Sequence, residues 1–497
     1  MNQRPWRWLA GALLLLVGRI VVAPPAPAIA AEGIDLKVYS DKELAQAPPG
    51  GPVVRVNLRQ AIRTALAVSP EVRTQLQGVE AARGKLDQAT SAYWPQAELM
   101  GVFGPSQRAH ANSDCQTGAG GLYNVGGRAC TDIQTSDKKT SSPITGVFGL
   151  ATIQLVQPLY TFGKLSGYKE AATKGVQVEL ARVEERKSNI ILKVKELYYG
   201  HLLAAETKGL LGDLKEQLDK ALEKVEKSLE TDSATADQVD LYKLRSYNNE
   251  LQKFIAEADK GIEVSREALA TYLALRPDQR IELDTTTLEP ETRQAGQVDV
   301  NISDALRLRP EMAQVRAGVD ATQALVQAER SNYFPQFFAA LVGAFSGATN
   351  RSFIENPFVN DTYSQRGAGV VAGFKLNVDF GITGGKVRAA QAEHMKIVET
   401  KGTAELFIPL QVRKARVELE EARRTIEATR EGYLNARKWL VASVANFDLG
   451  IGEAKDVADA VAGYGRLRAD NFRAVYNYNI ALANLDHATG RDLELSQ

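Results

Sequence analysis

Four histidines and two cysteines are all that the chain offers for soft metal ligation or thiol chemistry. His110, His201, His394 and His487 are scattered, and with Cys115 and Cys130 they form no recognised ligand spacing. No nucleophile elbow, phosphate-binding glycine loop or Glu/His metalloprotease motif occurs. With 60 basic and 60 acidic side chains, the sequence is also wrong for a broadly basic nucleic-acid binder. The expectation is therefore no enzyme, no metal and no cofactor. A hydrophobic content of 44% with 24% charge nevertheless describes a large ordered structure. The informative residues are those that build and end its elements.

Residues 1–30 read as a secretory signal, with Arg4 and Arg7, the apolar run Leu9–Val17 and an Ala28-Ile29-Ala30 cleavage site. The run is too short for a spanning helix, and Arg19, Pro24, Pro25 and Pro27 interrupt its continuation. Its removal takes three arginines and no acids, leaving a net charge of −3. Export makes Cys115 and Cys130 readable as a disulfide stapling the Gly/Ser/Asn-rich loop at 104–145. Closing so short a loop stabilises it by about 3 kcal/mol.

Laid over itself at an offset of 240, the sequence repeats. Pro70-Glu71 matches Pro310-Glu311, and Tyr93-Trp94-Pro95-Gln96 matches Tyr333-Phe334-Pro335-Gln336. Further on, Gly163-Lys164 matches Gly385-Lys386 at an offset of 222, which sets Phe380 against Pro158. The expected division is a 31–56 extension, a first repeat 57–276, a linker 277–300, a second repeat 301–490 and a 491–497 tail. Proline-free stretches permit long helices. Ile408, Val412, Ala415, Leu419, Ala422 and Ile426 open a series stepping by 4 and 3 to Phe447, and Ile190, Val194 and Leu197 open another through His201 to Leu229. Such a sustained 3.5-residue repeat is a coiled-coil-like seam. Helices over 164–230 and 386–448 would each reach roughly 95–100 Å at 1.5 Å per residue. The shorter 71–94 with 236–275, and 311–334 with 455–488, would lie end to end along them. Pro409 predicts a bend or local break.

Between short and long helices the period changes to two. Strands are expected over 96–104, 146–157, 336–346 and 367–380. In the last, Val370, Ala372, Phe374, Leu376, Val378 and Phe380 share one face, opposite Val371, Gly373, Lys375, Asn377 and Asp379. One apolar and one polar face is the pattern of an outer-membrane barrel. Four strands cannot close a barrel, and unpaired edges in lipid are prohibitive, so the chain must oligomerise.

The duplicated Pro-Glu…Tyr-aromatic-Pro-Gln pattern, Gln157-Pro158-Leu159-Tyr160…Gly163, Phe447-Asp448-Leu449-Gly450…Asp456-Val457-Ala458-Asp459-Ala460 and Tyr478…Asn484-Leu485…Gly490 resemble the TolC-like outer-membrane factors. The resemblance runs from about Asn57 to Gly490. It implies a homotrimer with a 12-stranded barrel, four strands per chain, continued by a periplasmic α-helical barrel and girdled near residues 277–306. It implies a passive exit duct that meets a periplasmic adaptor (membrane fusion protein) and, through it, an inner-membrane pump. Asp456 and Asp459 match the acidic pair lining the family's periplasmic gate, where six carboxylates in a trimer would favour cations. Acids in a first helical turn also complement the helix dipole. The adaptor-contacting tips fall at Asp232, Ser233 and Ala234 and at Gly450, Ile451 and Gly452.

Departures from the family pattern are local. The usual Gly-Leu of the first tip is replaced by Thr231-Asp232-Ser233-Ala234, and Gly452 stands where better-known members carry arginine. The glycines at 450 and 452 are expected to stop a helix in the left-handed conformation, and Thr235 with Gln238 to cap the next. A periplasmic coiled-coil scaffold without a pore is the competing reading, against which stand the alternating strands ending in Tyr160, Phe162 and Phe380.

Overall fold

The computed structural model describes residues 53–107, 115–118, 121–124, 144–230, 238–293, 295–349, 351, 363, 365–449 and 451–495. The expected signal segment, Cys130 and its pairing, Asp232, Ser233, Ala234, Thr235 and Gly450 lie outside the described residues. The chain divides into two units, one of residues 1–52 and 277–280, of which only 277–280 are described. The other, residues 53–276 and 281–497, carries the elements that follow, apart from the first residue of one strand, Arg280.

Strand β1 (Val53–Val56) leads to helix α1 (Leu58–Val68) through a capping box. Asn57 accepts from the Gln60 amide, and the Gln60 side chain accepts from the Asn57 amide. Ser69 then caps α2 (Pro70–Ser91), whose first residue is a proline, tolerated there because that position has no intrahelical bond to lose. Strands β2 (Gln96–Gln107), β3 (Cys115–Gly118), β4 (Gly121–Asn124) and β5 (Ile144–Tyr160) precede α3 (Lys164–Glu230) and α4 (Gln238–Tyr272). After β6 (Arg280–Leu283) the order recurs as α5 (Val298–Leu308), α6 (Pro310–Arg330), β7 (Gln336–Ala348), β8 (Arg366–Lys375), α7 (Ile382–Asp448) and α8 (Ala454–Thr489). A short α9 (Asp492–Leu495) closes the described chain.

Both long helices contain 67 residues, about 100 Å at 1.5 Å per residue. Pro409 lies inside α7, which is not broken there. Each long helix starts behind a Phe-Gly pair held at positive φ, Phe162 (50°) with Gly163 (91°) and Phe380 (47°) with Gly381 (133°). The two repeats therefore align here with an offset of 218, not 222, and Phe380 is the counterpart of Phe162, not of Pro158. The strand expected to reach residue 380 stops at Lys375. Beyond it Asp379 accepts hydrogen bonds from the Gly381 and Thr383 amides and the Thr383 hydroxyl, capping α7 in place of extending the strand. The Thr383 hydroxyl bond, followed by the backbone amides, holds the Asp379 carboxyl below the usual range.

The expected α7 stripe packs as read, with Ile408, Val412, Ala415, Leu419, Ala422, Ala436 and Ser443 all buried. Short helices cover the long ones in two lengths. Gln75 and Glu71 of α2 meet Glu179 and Arg186 of α3, whereas Arg245 of α4 meets Glu226 much further along. Three apolar clusters result. One joins α1, α2 and α3 through Ile62, Val79, Ile191 and Val194. Another joins α5, α6, α7 and α8 through Ala305, Met312, Val412 and Leu482, and the third joins α3, α4 and α8 through Leu218, Leu244 and Val461. Each fully buried aliphatic side chain contributes roughly 1.5–3 kcal/mol.

Strands β2, β5, β7 and β8 form one antiparallel sheet in that order. Pairings Leu99↔Ile153, Ile153↔Gly343 and Leu341↔Val370 fix the faces. One face carries Leu99, Phe103, Ile153, Leu155, Leu341, Phe345, Val370 and Phe374, with polar groups only at its ends, Gln157 and Arg366. The opposite face carries Glu98, Thr152, Gln154, Gln336, Ser346 and Lys375 among apolar neighbours. The first face is bare in the chain: Phe103 is 80% exposed, Val370 78% and Leu99 74%.

Candidate functional site

The end of the helices remote from the sheet holds the expected gate and tip. There α7 closes at Asp448, and the amides of Ile451 and Gly452 both donate to the Asn446 carbonyl at 3.0 and 3.1 Å. Gly452 is not in the left-handed region expected of it. Its requirement is space, since a Cβ would lie 3.0 Å from the Asn446 Cβ and from the Phe447 amide nitrogen. Ile451 is exposed beside it.

Glu453 is the N-cap of α8, so Asp456 stands in the first turn and Asp459 one turn on, along the same face. Asp456 is exposed and Asp459 half-buried. Asp459 accepts a hydrogen bond from the Tyr247 hydroxyl at 3.1 Å, and the Lys243 ammonium lies 3.5 Å from the same oxygen. Burial, then the bond to Asp459, pushes the Tyr247 hydroxyl up, so it remains a donor at neutral pH. Lys243 and Tyr247 are one turn apart on α4. Sequence reading missed both, and the only signal for them was that i, i+4 spacing.

Two further contacts tie the same ends together. Lys224 of α3 donates to the Phe447 carbonyl at 2.7 Å and lies 4.5 Å from the Phe447 ring centroid, closing the exposed carbonyl end of α7. Arg245 of α4 pairs with Glu226 of α3 at 2.8 Å. Helices α7, α3, α4 and α8 are thus linked in series, and of the two expected gate acids Asp459 is the one that lies beside a lysine among the described residues.

At the middle of the helices a second polar cluster straps the chain between the repeats. Asp486 on α8 binds Arg293 and lies 3.5 Å from Lys195. Asn479 accepts from the Glu291 amide and donates to the Glu289 carbonyl, while the Tyr199 hydroxyl donates to Glu291 at 2.5 Å. Burial, and then the Glu291 charge, drives the Tyr199 hydroxyl far up.

Ser188, His487 and Asp492 also meet here, the three residue types of a hydrolase triad. Their arrangement is wrong for it. Ser188 Oγ lies 2.7 Å from His487 Nδ1, and Asp492 Oδ2 approaches that same ring nitrogen at 3.4 Å while accepting from the serine itself. No opposite ring nitrogen is held by the acid, and Ser188 is buried. The cluster anchors α9. His201, half-buried on the α3 stripe, lies 3.0 Å from Ser265 Oγ. No group of metal-binding side chains occurs among the described residues. No helix of the described residues is long and apolar enough to cross a membrane.

Residues 301–491 match the family model described as outer membrane efflux protein. No curated protein matches the chain significantly. Solved structures with the same fold include the Vibrio cholerae outer membrane protein VceC, at 14% identity and a TM-score of 0.67 over 87% of this chain and 96% of that one. The Campylobacter jejuni CmeC outer membrane channel aligns at 14% identity and 0.66, covering 87% and 85%. The open-state Neisseria gonorrhoeae MtrE outer membrane channel aligns at 16% and 0.65, covering 87% and 89%.

Proposed function

We propose that this chain, whose residues 301–491 match the outer membrane efflux protein family model, is the outer-membrane exit duct of a tripartite efflux or type I secretion system. The observation that carries this is the four-stranded sheet with one continuous apolar face, rooted on two helices of 67 residues. A face holding Phe103 and Val370 in the open costs too much in water and fits hydrocarbon. A sheet in hydrocarbon leaves no edge unpaired, so copies of the chain must close one wall, and the likeness to TolC-like outer-membrane factors makes that three copies and twelve strands. A pore-free periplasmic scaffold has no use for such a face.

In this reading the homotrimer resides in the outer membrane with its helices in the periplasm, and makes and breaks no covalent bond. Asp456 and Asp459 form the periplasmic gate, each copy bringing both carboxylates to the narrow end and Lys243 offsetting one of them. Residues Asp232, Ser233, Ala234, Gly450, Ile451 and Gly452 form the tips that meet the adaptor, with exposed Ile451 as an apolar anchor. The adaptor couples the duct to an inner-membrane pump, which supplies the energy. Fractionation followed by conductance recording tests the proposal. The protein is expected to sediment with outer membranes and to conduct in planar bilayers, whereas a soluble, non-conducting product would refute it.

A further inference from the structure

The two repeats of one chain already display a seam of the kind that must form between copies. Hairpins Gln96↔Val156 and Gln336↔Lys375 superimpose with offsets of 240 on the first strand and 219 on the second. The bulge between Pro158 and Tyr160 accounts for the change to 218 at the helix. Inside the chain β5 pairs with β7, with Val156↔Ala340 and Leu155↔Leu341. At the same seam Phe162 stacks on Phe334, ring centroids 5.1 Å apart and planes 16° apart. Gly167 of α3 accepts α6 so closely that a Cβ would lie 2.8 Å from the Ala324 carbonyl oxygen.

These four seam residues have counterparts in the opposite repeat that stand bare. Phe380, the counterpart of Phe162, is 100% exposed, and Trp94, the counterpart of Phe334, is 70% exposed. Gly385 and Gly84, the counterparts of Gly167 and Ala324, are glycines inside helices with nothing within 4 Å of a built Cβ. Helical glycine is unfavourable, and at Gly385 nothing among the described residues requires it.

We propose that β8 and α7 of one copy join β2 and α2 of a second copy in the register of the internal seam. Lys375 then lies opposite Met100 and Phe374 opposite Gly101, Phe380 stacks on Trp94, and Gly385 admits α2 at Gly84. This inference rests on the duct reading for the existence of the assembly and adds which residues meet. The pairing keeps Phe374 and Gly101 on the apolar face, as required of any register, since a one-residue slip would turn the strand over. It is head to tail, and three such joins at a closing rotation make a ring.

Cysteine pairs read the register directly. In full-length protein with Cys115→Ser and Cys130→Ser, Phe374→Cys with Gly101→Cys is expected to give covalent dimers and trimers in outer membranes under mild oxidation. Phe374→Cys with Phe103→Cys, slipped by two, is expected to stay monomeric on the same gel. Gly385→Leu, whose Cβ meets nothing among the described residues, is expected to leave a folded monomer that fails to assemble. Cross-linking in the slipped pair, or trimers unaffected by Gly385→Leu, would overturn the seam and leave the duct reading standing. A conducting monomer, or no assembly of the parent protein, would overturn both.

Discussion

The hydroxyl of Tyr247 donates to Oδ1 of Asp459 at 3.1 Å, joining α4 to α8 at the end where the helices turn. Lys243, 3.5 Å from the same oxygen, adds a charge to the contact. Tyr247→Phe keeps the ring and removes one hydrogen bond, a loss of about 0.5–1.5 kcal/mol per copy. Channels carrying Tyr247→Phe with Lys243→Ala are therefore expected to open more often than the parent in bilayer recordings. An unchanged open fraction would show that the contact does not restrain the gate.

Replacing both Asp456 and Asp459 by Ala removes six carboxylates from a trimer. The expected outcome is raised conductance and weaker block by divalent cations added from the periplasmic side. Asp456→Ala alone is expected to weaken cation block while sparing the Tyr247 contact, because Asp456 is exposed and Asp459 makes the interhelical bond. Titration of block with a divalent cation separates the two variants.

Gly490 ends α8 in the left-handed region, at φ +74°, and a Cβ would lie 2.9 Å from the Arg309 backbone nitrogen. Backbone cannot swing aside as a side-chain tip can. Gly490→Ala combines a left-handed penalty of about 1–2 kcal/mol with an overpacking cost of roughly 1–3 kcal/mol. Thermal unfolding of the variant is expected several degrees lower, with the apolar sheet unaffected.

Burial pushes the His201 imidazole down; the backbone bond at Ile262 opposes this and Arg266 adds to it. A base whose folded value is depressed favours the neutral form, so its contribution is present above its ordinary value of about 6.5 and is lost as pH falls through the lower folded value. Stability measured between about pH 7 and pH 5 is expected to decline, and His201→Gln to flatten that part of the profile.

Much of this architecture was legible because it rests on local period. The 4, 3 step of α7 marked the residues that are buried, Ile408 through Ser443, and alternation marked the sheet. The repeat was legible too, but its register at the second long helix was not. Gly163-Lys164 matched Gly385-Lys386 by identity, whereas structure pairs Gly163 with Gly381. The smaller residue separation between the strands of the second hairpin took the offset from 240 to 219 and the bulge at Leu159 took it to 218, and the cap at Asp379 stopped a strand whose alternation ran on to Phe380. The partners of Asp459 were hidden for another reason. Tyr247 lies 212 residues away, and such a contact has no local pattern.

The number of chains around the duct separates a shared wall from a lone chain. Native mass spectrometry of the particle extracted from outer membranes, with detergent removed in the gas phase, counts them directly. Three chains per particle is the result predicted. A particle of one chain, its Phe103 and Val370 face still exposed, would contradict it.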